Sequence, residues 1–335
     1  MTTQDPTIRG AVIGYGGAFN MGRAHANWMN EAGMQTVAAC DQDPARMEAA
    51  RTDFPGIRTY SDVDALLADP GVNLCVVILP HNLHAEIAVR CARAGKHVIV
   101  EKPMCITVAE ADAMIEAARA AGVMLTVFHN RRHDGDYMAI RDVVDKGILG
   151  DIFHVEAHFG GYGHPGTWWR ADRRISGGAM YDWGAHFLDW ILNLVPSPVV
   201  GVTGFSQKRV WLDVTNEDHV ETVLRFANGC SAYLEASSID RAPGPRWRIL
   251  GTKGAIVDES REALTVHVGH EGYPATLRVP HLKSDWQAWY DGVAAHLTRG
   301  AELEVKPEQA RRVIAVLEAT QRSAATGETV RPAYP

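Results

Sequence analysis

Apolar runs recur at regular intervals through the first third of the chain. Residues 8 to 14, IRGAVIG, enter a glycine-rich turn, and residues 36 to 41, TVAACD, form a second run ending on an acid. The intervening MGRAHANWMNEAG has the length and terminal Gly33 of a helix with its C-terminal stop. The rhythm repeats in NLCVVIL, a helical stretch from about Ala85 to Ala94, HVIV, another helical stretch from about Val108 to Ala121, and MLTVF. Strands without polar alternation, separated by helices, predict a parallel sheet covered on both faces.

After about residue 130 the pattern changes. Short strand candidates fall at 152 to 159, 199 to 206, 219 to 226, 229 to 237, 246 to 251 and 264 to 268, several joined by turns too short for helical crossovers. Asn228 and Gly229 carry the clearest hairpin signal, because both residue types tolerate positive φ. Helical stretches near 134 to 146, 178 to 191, 284 to 298 and 307 to 323 are expected to cover one face of a largely antiparallel sheet, leaving the other face for an interface. The expected division is 1–130 and 131–335.

Composition narrows the class. The 335 residues fit about two domains, and 46% hydrophobic with 22% charged residues supports a packed core. A net charge of -7 offers no basic footprint for nucleic acid. No secretory signal or membrane-length apolar run is visible, so a cytoplasmic protein with no membrane partner is expected. Five scattered cysteines, Cys40, Cys75, Cys91, Cys105 and Cys230, lack metal-ligand spacing and read as buried free thiols. No metal site is expected.

Candidate chemistry begins at the glycine turn. Gly14, Gly16 and Gly17 follow the first strand directly, where such residues allow a tight turn and close approach to a pyrophosphate. Gly22 lies too far on for the ordinary G-x-G-x-x-G spacing. Asp41, at the end of the second strand, can accept two ribose hydroxyls and repels a 2′-phosphate, while Gln42 adds no compensating cation. NAD is therefore expected over NADP. The alternative for Asp41 is a helix cap, for which Asp43 before Pro44 is better placed. Pro80 turns the chain over the carboxyl edge of the sheet, where open α/β folds bind ligands. There His81 and Asn82 are candidates to line the nicotinamide end, and His84 either joins them or packs at the turn.

Glu101 and Lys102 end another parallel strand, with Pro103 fixing the chain beyond. Lys102 can bring charge to the junction of cofactor and substrate. Asp182 and His186 stand four residues apart in GGAMYDWGAHFLDW, with Asp189 continuing that face provided Gly184 does not break the helix. A histidine can accept an alcohol proton near neutral pH, and a neighbouring carboxylate can set its tautomer. A structural histidine is the competing reading. Arg131, Tyr162, His164, Trp168, Arg170 and His281 are possible hydroxyl or carboxylate contacts.

These motifs resemble the Gfo/Idh/MocA oxidoreductases, relatives of glucose-fructose oxidoreductase and inositol dehydrogenase. The resemblance spans nearly the whole chain: VIGYGG at 12 to 17, PHNLH at 80 to 84, AGKHVIVEKPM at 94 to 104, NRRHDGDY at 130 to 137, GILGDI at 147 to 152, GGAMYDWGAHFLDW at 177 to 190 and GTKGAI at 251 to 256. It departs in the longer AFNMG loop after Gly17. The resemblance implies an α/β protein: an N-terminal Rossmann-like parallel sheet binding NAD(P), then a C-terminal α+β domain with an open, predominantly antiparallel sheet, assembled as a homodimer or homotetramer. It implies an active site of Lys102, Asp182 and His186, acting on a sugar, inositol or related polyol or ketone. Two alternatives within this resemblance are a glycoside hydrolase using tightly bound NAD transiently and a non-catalytic sugar-sensing protein.

Overall fold

A computed structural model describes residues 7–16, 19–258, 260 and 262–334. The chain divides into two compact units, one comprising residues up to Cys105, Ala109–His129 and Trp286–Arg311, the other Ile106–Val108, Asn130–Asp285 and Arg312 onward.

The first unit opens with β1 (Arg9–Ile13), α1 (Met21–Glu31), β2 (Gln35–Cys40), α2 (Pro44–Asp53), β3 (Arg58–Tyr60), α3 (Val63–Leu67), β4 (Leu74–Val77), α4 (His84–Arg93), β5 (His97–Val100), α5 (Val108–Ala121) and β6 (Leu125–Val127). Its six strands lie in the order β3-β2-β1-β4-β5-β6 and all pair in parallel, the order of dinucleotide-binding sheets. The four residues of β4 are all fully buried, as are the last three of β5, which is why these strands read as unbroken apolar runs. Asp43 caps α2 by accepting from the Ala45 amide at 2.9 Å, with Pro44 at the first helical position.

The second unit continues with α6 (Gly135–Asp145), β7 (Ile152–Gly160), α7 (Arg173–Ser176), α8 (Trp183–Leu194), β8 (Val199–Gln207), β9 (His219–Phe226), β10 (Ser231–Ser237), β11 (Trp247–Gly251), β12 (Gly254–Asp258), β13 (Ala263–His270) and β14 (Tyr273–Pro280). These eight strands are ordered β14-β13-β12-β11-β7-β10-β9-β8, antiparallel except where β10 runs parallel to β7. Asn228 and Gly229 turn β9 into β10, Gly229 at φ 87°. Val155, Ala157, Leu234, Trp247 and Ile249 are buried on one face. Phe187 and Trp190 of α8 pack on Trp247 at centroid distances of 5.2 and 5.7 Å. The opposite face alternates to partly exposed His154, Glu156, Tyr233, Glu235 and Glu221, the polar-out pattern of an antiparallel sheet.

Two helices complete the chain, α9 (Gln287–Arg299) and α10 (Pro307–Thr326). Here the expected division 131–335 is corrected, because Trp286–Arg311 belongs with the first unit. The cause is aromatic packing and polar pairing. Trp289 and Tyr290 are buried, their rings 4.8 and 5.7 Å from that of Phe128, and Thr126 donates to the Val305 carbonyl at 2.7 Å. The helix expected from 178 also starts later. Gly177 and Gly178 have φ of 88° and 130°, a 3₁₀ turn spans Ala179–Tyr181, and α8 follows. All five cysteines are free and buried. Among the described residues no helix is long and apolar enough to cross a membrane.

Candidate active site

In the first unit the candidate cofactor residues gather at the carboxyl edge of the parallel sheet. Gly14 leaves β1 at φ 94°, and a Cβ there would run into the Ile78 carbonyl, so only glycine fits. Gly22, in the first turn of α1, would place a Cβ 2.7 Å from Tyr15 Cα. It thus serves the close helix packing of a third fingerprint glycine despite its distance in sequence. Gly17 lies outside the described residues. The Asp41 carboxylate accepts from the Tyr15 and Gly16 amides at 3.0 and 3.1 Å and from the Asp43 amide at 3.0 Å, so it organises the turn itself. Sequence reasoning missed Arg46. Its side chain lies across Gly16, where a Cβ would sit 2.5 Å from its Nε, and it pairs with Asp43 at 3.7 Å, so a cation stands beside the turn.

Pro80 heads a 3₁₀ turn over His81–Leu83 beyond β4. Asn82 is exposed there, while His81 and His84 are buried. His84 meets the Leu79 and Pro103 carbonyls at 2.8 Å each, tying the exit of β4 to the segment after β5. Burial pushes its pKa down, against these two acceptors, which favour the charged ring. The ring is committed to packing at the turn. Glu101 accepts from the Lys102 amide at 3.0 Å, and its other oxygen meets His25 Nε2 at 3.0 Å. Lys102 is half-buried. The glycine cradle and the carboxylate at the end of β2 fit a dinucleotide, with Gly14, Gly16 and Asp41 as the residues that would hold it.

In the second unit the expected aspartate and histidine stand at the start of α8. The helix runs unbroken through Gly184, where a Cβ would collide with Met180 Sδ. Asp182 is the residue just before the helix, 38% exposed at the side chain, and accepts from Arg170 Nη1 at 2.7 Å. His186 lies one turn inside, 3% exposed, with its ring centroid 5.7 Å from that of Trp183 and 6.3 Å from that of Trp190. Asp189 is taken by both Arg132 donors at 2.7 and 2.8 Å in a buried bidentate pair, so its part is structural. Arg131 stacks 4.3 Å above Trp183 and pairs with Asp134.

The loop between β7 and α7 holds Tyr162, His164, Trp168 and Arg170. Arg170 reaches Asp182 and lies 5.4 Å from the Trp168 ring. Tyr162 and His164 form a separate knot. Arg241 covers the Tyr162 ring at 3.6 Å, Trp211 packs on both rings, and His164 pairs with Asp213 at 3.0 Å. Arg241, Trp211 and Asp213 were not legible because they come from distant loops. His281 sits 3.3 Å from buried Asp258, whose carboxyl pKa burial raises.

Two family profiles match the chain: the oxidoreductase family with NAD-binding Rossmann fold over residues 8–129, and the GFO/IDH/MocA C-terminal domain over residues 137–257. The scyllo-inositol 2-dehydrogenase (NADP(+)) IolW of Bacillus subtilis is 28% identical over 312 residues, covering 85% of this chain and 86% of the relative. The myo-inositol 2-dehydrogenase of Thermotoga maritima is 27% identical, covering 79% of each chain. An NAD-binding protein from Listeria innocua of known structure superimposes with a TM-score of 0.86 at 28% identity, covering 97% of both chains. From its parallel dinucleotide sheet, its open antiparallel sheet and these matches, the chain belongs to the Gfo/Idh/MocA oxidoreductase family.

Proposed function

We propose that the protein interconverts a sugar, inositol or related polyol and its ketone with a nicotinamide dinucleotide. The observation carrying this reading is buried His186 one helical turn inside Asp182, whose carboxylate Arg170 grips at 2.7 Å. His186 takes the hydroxyl proton, and Lys102 stabilises the charge that develops on the oxygen. Asp182, with Arg170 across from it, orients substrate hydroxyls or the histidine. A bound nicotinamide supplies the hydride acceptor. Relatives named as inositol dehydrogenases support the substrate class.

We further propose that NAD binds more tightly than NADP, through Asp41. A second reading, NADP use, is favoured by Arg46 beside Gly16 and by the NADP(+) in the Bacillus relative's name.

The test is a screen of sugars, inositols and sugar acids for net cofactor reduction, followed by His186→Ala on the substrate found. The variant should keep most of its cofactor affinity and lose about 10² to 10⁴ in single-turnover rate. A folded His186→Ala protein with near-native rates across neutral pH would remove His186 as the base. Glycoside release without net reduction would replace the dehydrogenase reading.

A further inference from the structure

His25 is fully buried in α1 and makes two hydrogen bonds that the proposed reaction does not use. Its Nδ1 lies 2.6 Å from Tyr290 Oη, and its Nε2 lies 3.0 Å from Glu101 Oε1. The other Glu101 oxygen accepts from the backbone amide of Lys102. One proton arrangement satisfies every atom in this line: Tyr290 donates to Nδ1, Nε2–H donates to Glu101, and the Lys102 amide closes the chain. The phenol is held in turn by packing, since Tyr290 is fully buried against Trp28, Phe128 and Trp289. On the far side of Lys102 the Pro103 carbonyl meets His84. Lys102 therefore lies between two residues gripped by buried rings from α1 and α4.

We infer that His25 and Tyr290 are positioning residues for Lys102, acting through the Glu101 carboxylate. The inference rests on the reading of Lys102 as the group that stabilises the reacting oxygen. A half-buried carboxylate beside the lysine holds the amide more strongly when ionised than when protonated. Burial works to raise the Glu101 pKa, while His25, Lys102 and His84 outweigh it and hold the group below its ordinary value. The remaining titratable neighbour is Tyr290, whose own pKa burial and then the Glu101 charge push upward. It stays a neutral donor. Without His25, burial is left less opposed, so Glu101 takes up a proton at higher pH and its hold on the Lys102 amide weakens.

The test uses the cofactor-free protein first. Amide exchange at Lys102 is followed against pH in the native chain, His25→Ala, His25→Gln and Tyr290→Phe. His25→Ala should speed Lys102 exchange at least tenfold while Val98, Ile99 and Val100 keep their protection. Loss of protection on acidification should begin at higher pH than in the native chain. His25→Gln, which keeps a donor for Glu101, should recover part of the protection. Tyr290→Phe, the variant least able to disturb folding, should show a change of about threefold to tenfold, the scale of one hydrogen bond. With the substrate found by the screen, the same variants should lower kcat more than they raise the cofactor KM and should shift the acid limb of the rate upward.

Native Lys102 exchange in folded His25→Ala and Tyr290→Phe, with an unmoved acid limb, overturns the inference even if Lys102→Ala abolishes turnover. Full activity of Lys102→Ala instead overturns the reading of the lysine, and with it the catalytic part of this inference. The exchange data then decide the hydrogen-bonded line alone.

Discussion

At the scale of single residues, Asp41 and Arg46 oppose one another across the glycine turn. The Asp41 carboxylate would repel a 2′-phosphate bound beside it, and two of its contacts hold Tyr15 and Gly16 in place. Arg46 provides positive charge on the same turn. Asp41→Ala should therefore narrow the difference between NAD and NADP dissociation constants, and Arg46→Ala should widen it by weakening NADP selectively. Direct binding titrations check both, and equal native affinities or tighter NADP binding would remove the preference for NAD. The place of Asp41 at the end of β2 was legible because strand, turn and acid are near neighbours in sequence. Arg46 was not, since a helix residue carries no mark that its side chain folds back over a glycine. His25 and Tyr290 were illegible for a stronger reason: they stand 265 positions apart, and each looks locally like an ordinary core aromatic.

At the scale of elements, the turn from β8 to β9 is organised by one buried acid. Asp218 accepts from Lys208 Nζ at 2.7 Å and from the Arg209 and Val210 amides at 2.6 Å each. Burial works to raise its pKa, but these donors prevail and bring it down to about 2. An unfolded aspartate titrates near 3.9, so the carboxylate stabilises the fold above that pH, and the gain disappears as pH falls from about 4 through about 2. Asp218→Asn should cost about 2 to 3 kcal/mol at pH 7. The cost should shrink steadily below about pH 4, measured by urea unfolding. A cost that stays constant down to pH 2 would mean that the side-chain shape, not its charge, holds the turn. The consequence reaches the candidate loop, because Trp211 on this turn packs on Tyr162 and His164. Most strands of this sheet were legible from alternation and from the Asn228 and Gly229 hairpin. β14 was not, because its residues are nearly all exposed and show no apolar face.

At the scale of the whole molecule, the open face of the eight-stranded sheet bears on assembly. The face expected to form an interface mixes exposed Phe205 and Val223 with a polar network. Arg248 and His154 pair with Glu156, Tyr233 donates to Glu235, and His219 meets Glu221. Glu235 lies directly across from Glu221, a like-charge neighbour that costs stability unless other groups offset it. We expect this face to pair with its own copy in a homodimer or in a homotetramer built from dimers. A monodisperse monomer at micromolar concentration by light scattering would overturn that expectation.

The return of α9 to the first unit also bears on how the protein is made. Trp289 and Tyr290 roof over His25, Trp28 and Phe128, so the N-terminal core stays open on the ribosome until the segment ending at Arg311 has emerged. At about 5 to 20 residues per second, that leaves roughly 10 to 35 seconds between the synthesis of His129 and that of Arg311. During this interval nascent chains present a bare aromatic floor to solvent and to one another. The first unit is thus finished only after most of the second has been made.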